Sequence, residues 1–170
     1  GRHLQLRLQQ ARQQWPEMVG AMDVSEKGIT AMLKRVDQKE HMFYNSIGTV
    51  GGGNHFVEVG VTPEGNYAFT IHCGSRNLGQ MVWKYWKNEA MKQEGVTNGY
   101  LVGEAMKGYL TDMVLAQAYA EYNHQVISQL VMEAICGGSG KKANILEQIY
   151  TTHNYIDFSM KMMRKGAVTT

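Results

Sequence analysis

The chain has 170 residues, of which 44% are hydrophobic and 19% are charged, a composition typical of a globular protein. Seventeen basic and fifteen acidic residues leave a net charge of +2, which excludes a protein that binds nucleic acid mainly through its overall charge. The sequence contains no run of 18 apolar residues and no signal-peptide pattern, so no membrane-spanning helix is predicted. We predict a single domain over residues 1–170 without an internal boundary.

The two cysteines, Cys73 and Cys136, are far apart in the sequence and show no C-x-x-C spacing. This usage excludes a disulfide framework and a zinc knuckle, although a single bridge between the two stays open. Chains of this kind usually occur in a reducing compartment, so we predict a cytoplasmic location. The chain begins at Gly1 without an initiating methionine, which favours a segment of a larger protein.

Four apolar residues in the segment 25–40 recur at i, i+3, i+4 and i+7, the spacing of one helical face: Ile29, Met32, Leu33 and Val36. The segment therefore predicts a short amphipathic helix. His41 follows this segment and has no partner nearby in the sequence. We interpret this histidine as a surface or core residue.

The stretch from Asn45 to Arg76 carries the densest set of residues suited to chemistry. It begins with three glycines, Gly51–Gly53, which permit tight turns and a close approach of a ligand to the main chain. Alternating residues follow from Phe56, and a second run from Tyr67 to Ile71 is rich in aromatic and β-branched types. Because turn-forming residues 62–65 separate the two runs, the pattern predicts a β-hairpin.

The predicted hairpin brings two histidines together. A four-residue loop would pair Val61 with Asn66, and counting outward would pair His55 with His72. Opposed residues have Cβ atoms about 4.5–5.5 Å apart, so both rings would reach one ion of zinc or manganese, which binds imidazole nitrogen at about 2 Å. A change of one residue in register would place the two side chains on opposite faces.

Other side chains of the first strand are expected on the second face of the hairpin. The two-residue period separates Asn54, Phe56 and Glu58 from His55, so one strand can serve a metal and a second ligand. The alternative is that one histidine ends a strand and the other is a hydrogen-bonded core residue. The residues alone leave both interpretations open.

The small-residue stretch from Cys73 to Gly79 contains Arg76, a forked cation suited to phosphate. Such turns also present amide groups to anions. Asn77 is the predicted N-cap of a following helix from Gln80 to Glu94.

The longest predicted helix runs from Glu104 to Ile135 and ends at a glycine-rich stretch. Its apolar stripe consists of Met106, Leu110, Met113, Ala120, Ile127 and Val131. Three polar residues, Gln117, Asn123 and His124, interrupt this stripe. Because polar groups on a buried face need partners, we expect these side chains to bond to neighbouring backbone, with a position facing a cleft as the alternative.

A second His-Asn pair follows the long helix. The segment from Ile145 to Tyr150 is expected to form a strand or a short helix, which leads to His153 and Asn154. His153 is a third candidate metal ligand, and Asn154 is a candidate donor to a phosphate oxygen. Together these elements predict an α/β or α+β domain, with a central, largely antiparallel sheet that contains the metal-bearing hairpin and with helices packed outside it.

Four motifs occur in order along the chain: GTVGGGNHFVEV at 48–59, IHCGSRNLG at 71–79, HNY at 153–155 and RKGA at 164–167. Together they resemble the RtcB family of RNA ligases over most of the chain. The first two motifs are specific in combination, and the other two support them. The long helix agrees with the family at four positions: Ala116, Gln117, Ala120 and Asn123. Where this chain has His124, the family commonly has arginine.

The resemblance implies a GTP-dependent RNA ligase that joins an RNA 3′-phosphate or 2′,3′-cyclic phosphate to a 5′-hydroxyl, as in tRNA splicing or RNA repair. A histidine is first guanylylated, the guanylate passes to the RNA 3′-phosphate, and the 5′-hydroxyl then displaces it. The implied cofactors are two Mn²⁺ ions, with GTP as cosubstrate. The implied partners are RNA ends, such as tRNA halves or broken RNA, and no membrane.

The resemblance also assigns roles to residues by motif. His55 and His72 would bind one Mn²⁺, and His153 would bind the second. Arg76 would contact the terminal phosphate of the RNA. The implied contacts to the guanine nucleotide come from Asn54, Phe56 and Glu58 and, at its phosphates, from Asn154.

Two stretches of the family do not occur in this chain. The first is an Asp-x-x-Cys-Gly stretch that supplies further metal ligands, and Cys73 lies in the wrong motif to replace its cysteine. The second is a His-Gly-Ala-Gly-like stretch that carries the guanylylated histidine. We therefore expect no catalytic nucleophile in this chain, which would be an incomplete catalytic core and inactive alone.

Two alternatives stay open. One is a non-catalytic module that binds a metal or a nucleotide and derives from the same fold. The other, without any appeal to the family, is a small metallohydrolase with one zinc ion held by His55, His72 and His153. The second is disfavoured because no nearby carboxylate is an obvious general base.

Overall fold

A computed structural model of the chain describes residues 26–92, 98–137, 143–157, 160 and 162–166. Four helices and four strands lie within these ranges. In chain order they are α1 (Glu26–Arg35), α2 (Glu40–Asn45), β1 (Phe56–Val61), β2 (Tyr67–His72), α3 (Leu78–Met91), α4 (Gly103–Ile135), β3 (Asn154–Asp157) and β4 (Met162–Lys165). Among the described helices, none combines the length and apolar character needed to cross a membrane.

Helix side chains form the hydrophobic core of the described residues. The predicted apolar face is confirmed, because its four residues are buried, three within α1 and the fourth, Val36, directly after it. These residues pack with Phe43 from α2, Leu78 and Trp86 from α3, and Tyr119 from α4. Burial of large apolar side chains is the main favourable contribution to the free energy of folding. In the described residues, the four helices supply most of this burial.

A buried carboxylate joins three of the helices. Asp112 on α4 is 1% exposed and accepts hydrogen bonds from Arg35 on α1, with its Nη2 at 2.5 Å, and from Trp86 on α3, with its Nε1 at 2.8 Å. Burial raises the pKa of the Asp112 carboxyl, while the bonds from Arg35 and Trp86 act in the opposite direction. A buried charge of this kind needs such partners.

The long helix is found where the sequence predicted it, with one more residue at its start. Leu110 and Ile127 of the predicted stripe are buried, whereas Met106 is exposed. The expectation that Gln117, Asn123 and His124 bond to neighbouring backbone is confirmed. The bonds of Gln117 and Asn123 connect α4 to main chain outside the helix, whereas that of His124 Nδ1 lies within α4.

The start of α3 differs from the prediction. Asn77 occupies the N-cap position with a left-handed φ of 74°, but its side chain makes no cap bond to the helix. Its amide donates instead to Gln38 Oε1 at 3.1 Å. The hydroxyl of Ser75 accepts the bond from the N–H of Gly79 at 2.8 Å. Ser75 therefore satisfies a free N–H group of the first turn.

The β1–β2 hairpin is present, but its predicted register is wrong by one residue. Val61 pairs with Tyr67, and His72 pairs with Phe56 rather than with His55. Asn66 stays in the loop because its carbonyl accepts from Thr62 N–H at 2.8 Å and its own N–H donates to Thr62 Oγ1 at 3.3 Å. These two bonds close a five-residue loop where four residues were expected.

Two separate two-stranded sheets are present in the described residues, β1–β2 and β3–β4, and both are antiparallel. The predicted α+β class and antiparallel pairing are confirmed, whereas the single central sheet is not found. The strands are exposed at positions such as Val61, at 67%, and Tyr67, at 75%. The expected strand or short helix at Ile145–Tyr150 is also wrong, since these exposed residues have no regular secondary structure.

Candidate metal centre

Three imidazole rings lie side by side where β1 begins, β2 ends and β3 begins. The ring centroids of His55 and His72 are 5.8 Å apart, and those of His72 and His153 are 5.5 Å apart. The rings of His72 and His153 are nearly parallel, at 16°. Residues that are 81 positions apart in the sequence, His72 and His153, are therefore brought into contact by the fold.

His55 approaches His72 although the two do not pair across the hairpin. His55 lies just before Phe56, the first paired residue of β1, so the alternation of a strand does not determine the direction of its side chain. The expected proximity of the two rings is thus observed, but it arises from the turn before the strand. The register argument gave the right neighbours for an incorrect reason.

The spacing of the rings is compatible with a shared metal ion in each pair. A metal about 2.1 Å from a ring nitrogen lies about 3 Å from the ring centroid, so two rings on one ion have centroids about 5–6 Å apart. Both observed pairs fall in this range. However, no group of three or more His, Cys, Asp or Glu side chains in the described part of the chain is placed to hold one ion. One zinc ion held by all three histidines is therefore not supported.

Burial and the neighbouring positive charge favour a neutral imidazole at His55. Burial lowers the pKa of His55, and the positive Arg76 and neighbouring His72 lower it further, against a smaller opposing effect of the Val50 carbonyl. A neutral ring offers the lone pair that a metal ion requires. The lowered pKa of His55 thus favours the neutral form, which can bind a metal ion.

Arg76 holds residues 48–53, the glycine loop, next to His55. Its Nε donates to Thr49 Oγ1 at 3.1 Å, its Nη1 donates to the Val50 carbonyl at 2.8 Å, and the same Nη1 lies 3.4 Å from His55 Nδ1. A Cβ atom at Gly51 would lie 1.9 Å from this Nη1, and the φ of Gly51 is +92°. The backbone conformation therefore favours glycine at this position, and a larger residue would have to displace the Arg76 guanidinium.

The residues expected to contact a nucleotide lie around the same histidines. Phe56 stacks on His72 with centroids 5.6 Å apart and an angle of 22°. In the observed register, Phe56 and Glu58 share the face of His72, which corrects the expectation that they face away from the metal ligands. Both side chains are exposed, as is Asn54 in the preceding turn.

Asn154 is less free than expected for a phosphate donor. Its side-chain Oδ1 accepts from the N–H of Gly166 at 3.1 Å, and its carbonyl accepts from Gln117 Nε2 at 3.4 Å. These contacts join the β3–β4 hairpin to α4 and fix the main chain beside His153. The side-chain amide nitrogen is the part of Asn154 suited to a phosphate.

Two residues of the site, Thr49 and Val50, were not singled out in the sequence. The Thr49 hydroxyl and the Val50 carbonyl accept hydrogen bonds from Arg76. Every residue has a main-chain carbonyl, so the residue type at position 50 does not predict such a contact. His124 was noted as a polar interruption and as a departure from the family's arginine, but its contact to the backbone that follows His72 was not predicted. Burial lowers the pKa of His124, and both His55 and His72 contribute in the same direction.

A family model described as tRNA-splicing ligase RtcB matches residues 5–170. The chain belongs to the RtcB family. RNA-splicing ligase RtcB of Escherichia coli strain K12 is 26% identical to this chain over 147 residues, which cover 74% of the chain and 36% of that relative. RNA-splicing ligase RtcB1 of a second Escherichia coli strain matches to the same extent.

A more distant organism contributes a shorter match. RNA-splicing ligase RtcB homolog 1 of Entamoeba dispar is 34% identical over 70 residues, which cover 32% of this chain and 13% of that relative. No solved structure gives a significant match. This RtcB-family chain thus spans 36% of the length of the Escherichia coli relatives it matches.

Proposed function

We propose that this chain is part of the catalytic core of an RNA ligase that joins an RNA 3′-phosphate or 2′,3′-cyclic phosphate to a 5′-hydroxyl with GTP and manganese. The observation that carries the proposal is the grouping of His55, His72 and His153 in a chain of the RtcB family. RNA ends, as in tRNA splicing or RNA repair, are the proposed partners, and the cytoplasm is the proposed location.

The histidines are the proposed metal ligands. His55 and His72 hold one Mn²⁺, and His153 contributes to a second, with the remaining ligands outside this chain. The spacing of the His55 and His72 rings and the lowered pKa of His55 support the first ion. The contact between the rings of His72 and His153 supports a second ion close to the first. Bound manganese would neutralise phosphate charge and orient the attacking oxygen.

Arg76 is the proposed contact to the terminal phosphate of the RNA. Its guanidinium is next to His55 and is held by Thr49 and Val50, so it adds positive charge beside the histidines. A forked cation in this place suits a phosphate that approaches the metal ligands. The two bonds to the loop orient the guanidinium before the RNA arrives.

The exposed face beside His72 is the proposed nucleotide surface. Phe56 offers an aromatic ring for stacking, and Glu58 on the same face offers a carboxylate to the hydrogen-bond donors of guanine. Asn54 adds a polar contact from the turn. Asn154, which follows His153 in the chain, is the proposed donor to the nucleotide phosphates.

The guanylylated histidine is proposed to lie outside this chain. The stretches that carry it and the additional metal ligands in the family do not occur among the 170 residues. The role proposed for the chain is therefore to bind the cations, the nucleotide and the RNA end. Joining of RNA by the chain alone is not expected.

The metal assignment is tested by Mn²⁺ titration with electron paramagnetic resonance, which measures the free ion. His72 contacts both other rings, so His72→Ala is expected to weaken Mn²⁺ binding by more than about tenfold. The matched control is His41→Ala, because His41 is an exposed histidine on α2. This control is expected to leave the affinity unchanged.

Two results would contradict the proposal. Absence of saturable Mn²⁺ binding to the unchanged chain, or an equal loss in His72→Ala and His41→Ala, would remove the metal assignment. Joined RNA from the chain alone, with GTP, Mn²⁺ and RNAs ending in 3′-phosphate and 5′-hydroxyl, would contradict the proposed absence of the nucleophile.

A further inference from the structure

One buried side chain on α4 contacts both segments that carry metal ligands. Asn123 is 0% exposed. Its Oδ1 accepts from Gly48 N–H at 2.7 Å, and its Nδ2 donates to the Thr49 carbonyl at 3.1 Å. The same Nδ2 lies 3.4 Å from Cys73 Sγ. A single amide thus connects the start of the glycine loop, which leads to His55, with the residue that follows His72.

The next residue, His124, fixes the main chain after His72. Its Nδ1 lies 2.7 Å from the Ala120 carbonyl, which can only accept, so this nitrogen carries the proton. The other nitrogen, Nε2, then has a free lone pair and accepts from the Cys73 N–H at 3.3 Å. His124 is therefore held as a neutral tautomer with a defined acceptor.

The Cys73 N–H belongs to the peptide bond that begins at the carbonyl carbon of His72. Because that peptide is planar, a bond at its N–H restricts the ψ angle of His72 and the position from which its ring projects. Arg76 orients the glycine loop from one side, and Asn123 holds the same loop at Gly48 and Thr49. The two histidine-bearing segments are thus fixed to one turn of α4.

We propose that Asn123 and His124 are positioning residues that set the geometry between His55 and His72. The inference rests on the proposed function, because the geometry matters through a cation bound between the two rings. Neither residue contacts that cation. Both act on the main chain next to the ligands, where changes typically alter metal affinity by about 10- to 100-fold.

The test distinguishes the effect of losing the His124 hydrogen bond from the effect of changing the volume of its side chain. His124→Leu removes the acceptor. His124→Gln retains an acceptor, because the glutamine side-chain oxygen would lie close to the position of the histidine Nε2. In metal-free protein, amide exchange at Cys73 is expected to accelerate about threefold to tenfold in His124→Leu. His124→Gln is expected to retain slow exchange, and the exposed control His41→Leu is expected to change nothing.

The second readout is Mn²⁺ affinity, together with the ring ¹⁵N resonances of His72 in the metal-free protein. His124→Leu is expected to shift those resonances and to weaken Mn²⁺ binding by about tenfold. His124→Gln is expected to restore both. If His124→Leu does not fold, His124→Asn provides the same test, because its side chain is polar but too short to reach Cys73.

The outcomes distinguish the inference from the function on which it rests. If the unchanged chain binds no Mn²⁺ while Cys73 exchange and the His72 resonances respond as expected, the metal assignment fails and the positioning role stands. If Mn²⁺ binds but His124→Leu alters neither exchange nor affinity, the positioning role is overturned. An equal loss of affinity in His124→Leu and His124→Gln also overturns it.

Discussion

At the scale of single residues, Tyr119 illustrates how a polar atom can be buried in the core. The side chain is 0% exposed, its ring lies 4.6 Å from that of Phe43, and its hydroxyl donates to the Phe43 carbonyl. This bond connects α4 to α2 shortly before the glycine loop. The hydroxyl would carry a large desolvation cost without that acceptor.

The burial of Tyr119 predicts a loss of stability at alkaline pH. Burial raises the pKa of Tyr119 to about 12, against 10.0 for an exposed tyrosine. As the pH rises through this window, the unfolded state releases its proton before the folded state does. The free energy of unfolding is therefore expected to fall by up to about 2–3 kcal/mol between pH 10 and 12.

Urea unfolding at about pH 9 and about pH 11 measures this effect, since only the higher value lies above the pKa of an exposed tyrosine. Tyr119→Phe is expected to be less stable at the lower pH but to lose less stability on going to the higher one. Tyr67→Phe is the matched control, because Tyr67 is 75% exposed. If Tyr119→Phe showed the same pH dependence of stability as the unchanged chain, the alkaline loss of stability could not be assigned to Tyr119.

At the scale of elements, α3 begins at a cap that the sequence did not identify. Both Ser75 and Asn77 are residue types that favour helix starts, and the sequence gives no reason to prefer one. The choice depends on Gln38, a distant residue that takes the amide of Asn77. Ser75 is then left to accept the bond from Gly79.

Ser75→Ala is expected to lower the free energy of unfolding by about 1 kcal/mol, because the first turn of α3 loses its acceptor. Chemical denaturation measures this change. Ser46→Ala is the matched control, since the Ser46 hydroxyl donates to a carbonyl one turn earlier in α2 and caps no N–H group of that helix among the described residues; its effect is expected to stay below about 0.5 kcal/mol. Equal losses in both variants would argue against the cap.

The hairpin shows a similar limit of prediction from sequence. Residue types predicted two strands and a short loop, and both strands exist. The loop length depends on whether Asn66 bonds to Thr62 or pairs with Val61, and the residue types are compatible with either. By contrast, α4 was predicted to within one residue because its apolar spacing repeats over many turns. The first predicted helix, over residues 25–40, exists but ends at Arg35.

At the scale of the whole molecule, Asp112 links elements that are distant in sequence. The carboxylate joins α1, α3 and α4 through Arg35 and Trp86. No local pattern marks this residue, because its partners lie 77 and 26 positions away. The described strands form two sheets rather than one central sheet, and this too was not predictable, since residue patterns identify strands but not the elements against which they pack.

Asp112→Asn is expected to lower the free energy of unfolding by about 2–3 kcal/mol, because it leaves Arg35 without a charged partner and brings an amide donor next to two others. Urea unfolding measures the loss. Glu104→Gln removes the exposed ion pair with Lys107 and is expected to cost less than about 0.5 kcal/mol. A loss no greater in Asp112→Asn than in Glu104→Gln would show that the buried pair does not connect the helices.

The lack of a side chain at Gly51 affects the electrostatics of the site as much as the shape of the loop. The guanidinium of Arg76 lies in the volume that any other residue would fill. A larger residue would displace that charge from His55, so that the imidazole would lose a neighbour that disfavours its protonation. One hydrogen atom in place of a methyl group therefore determines where the cationic group resides and, through it, how readily protons compete with a metal ion for the ring.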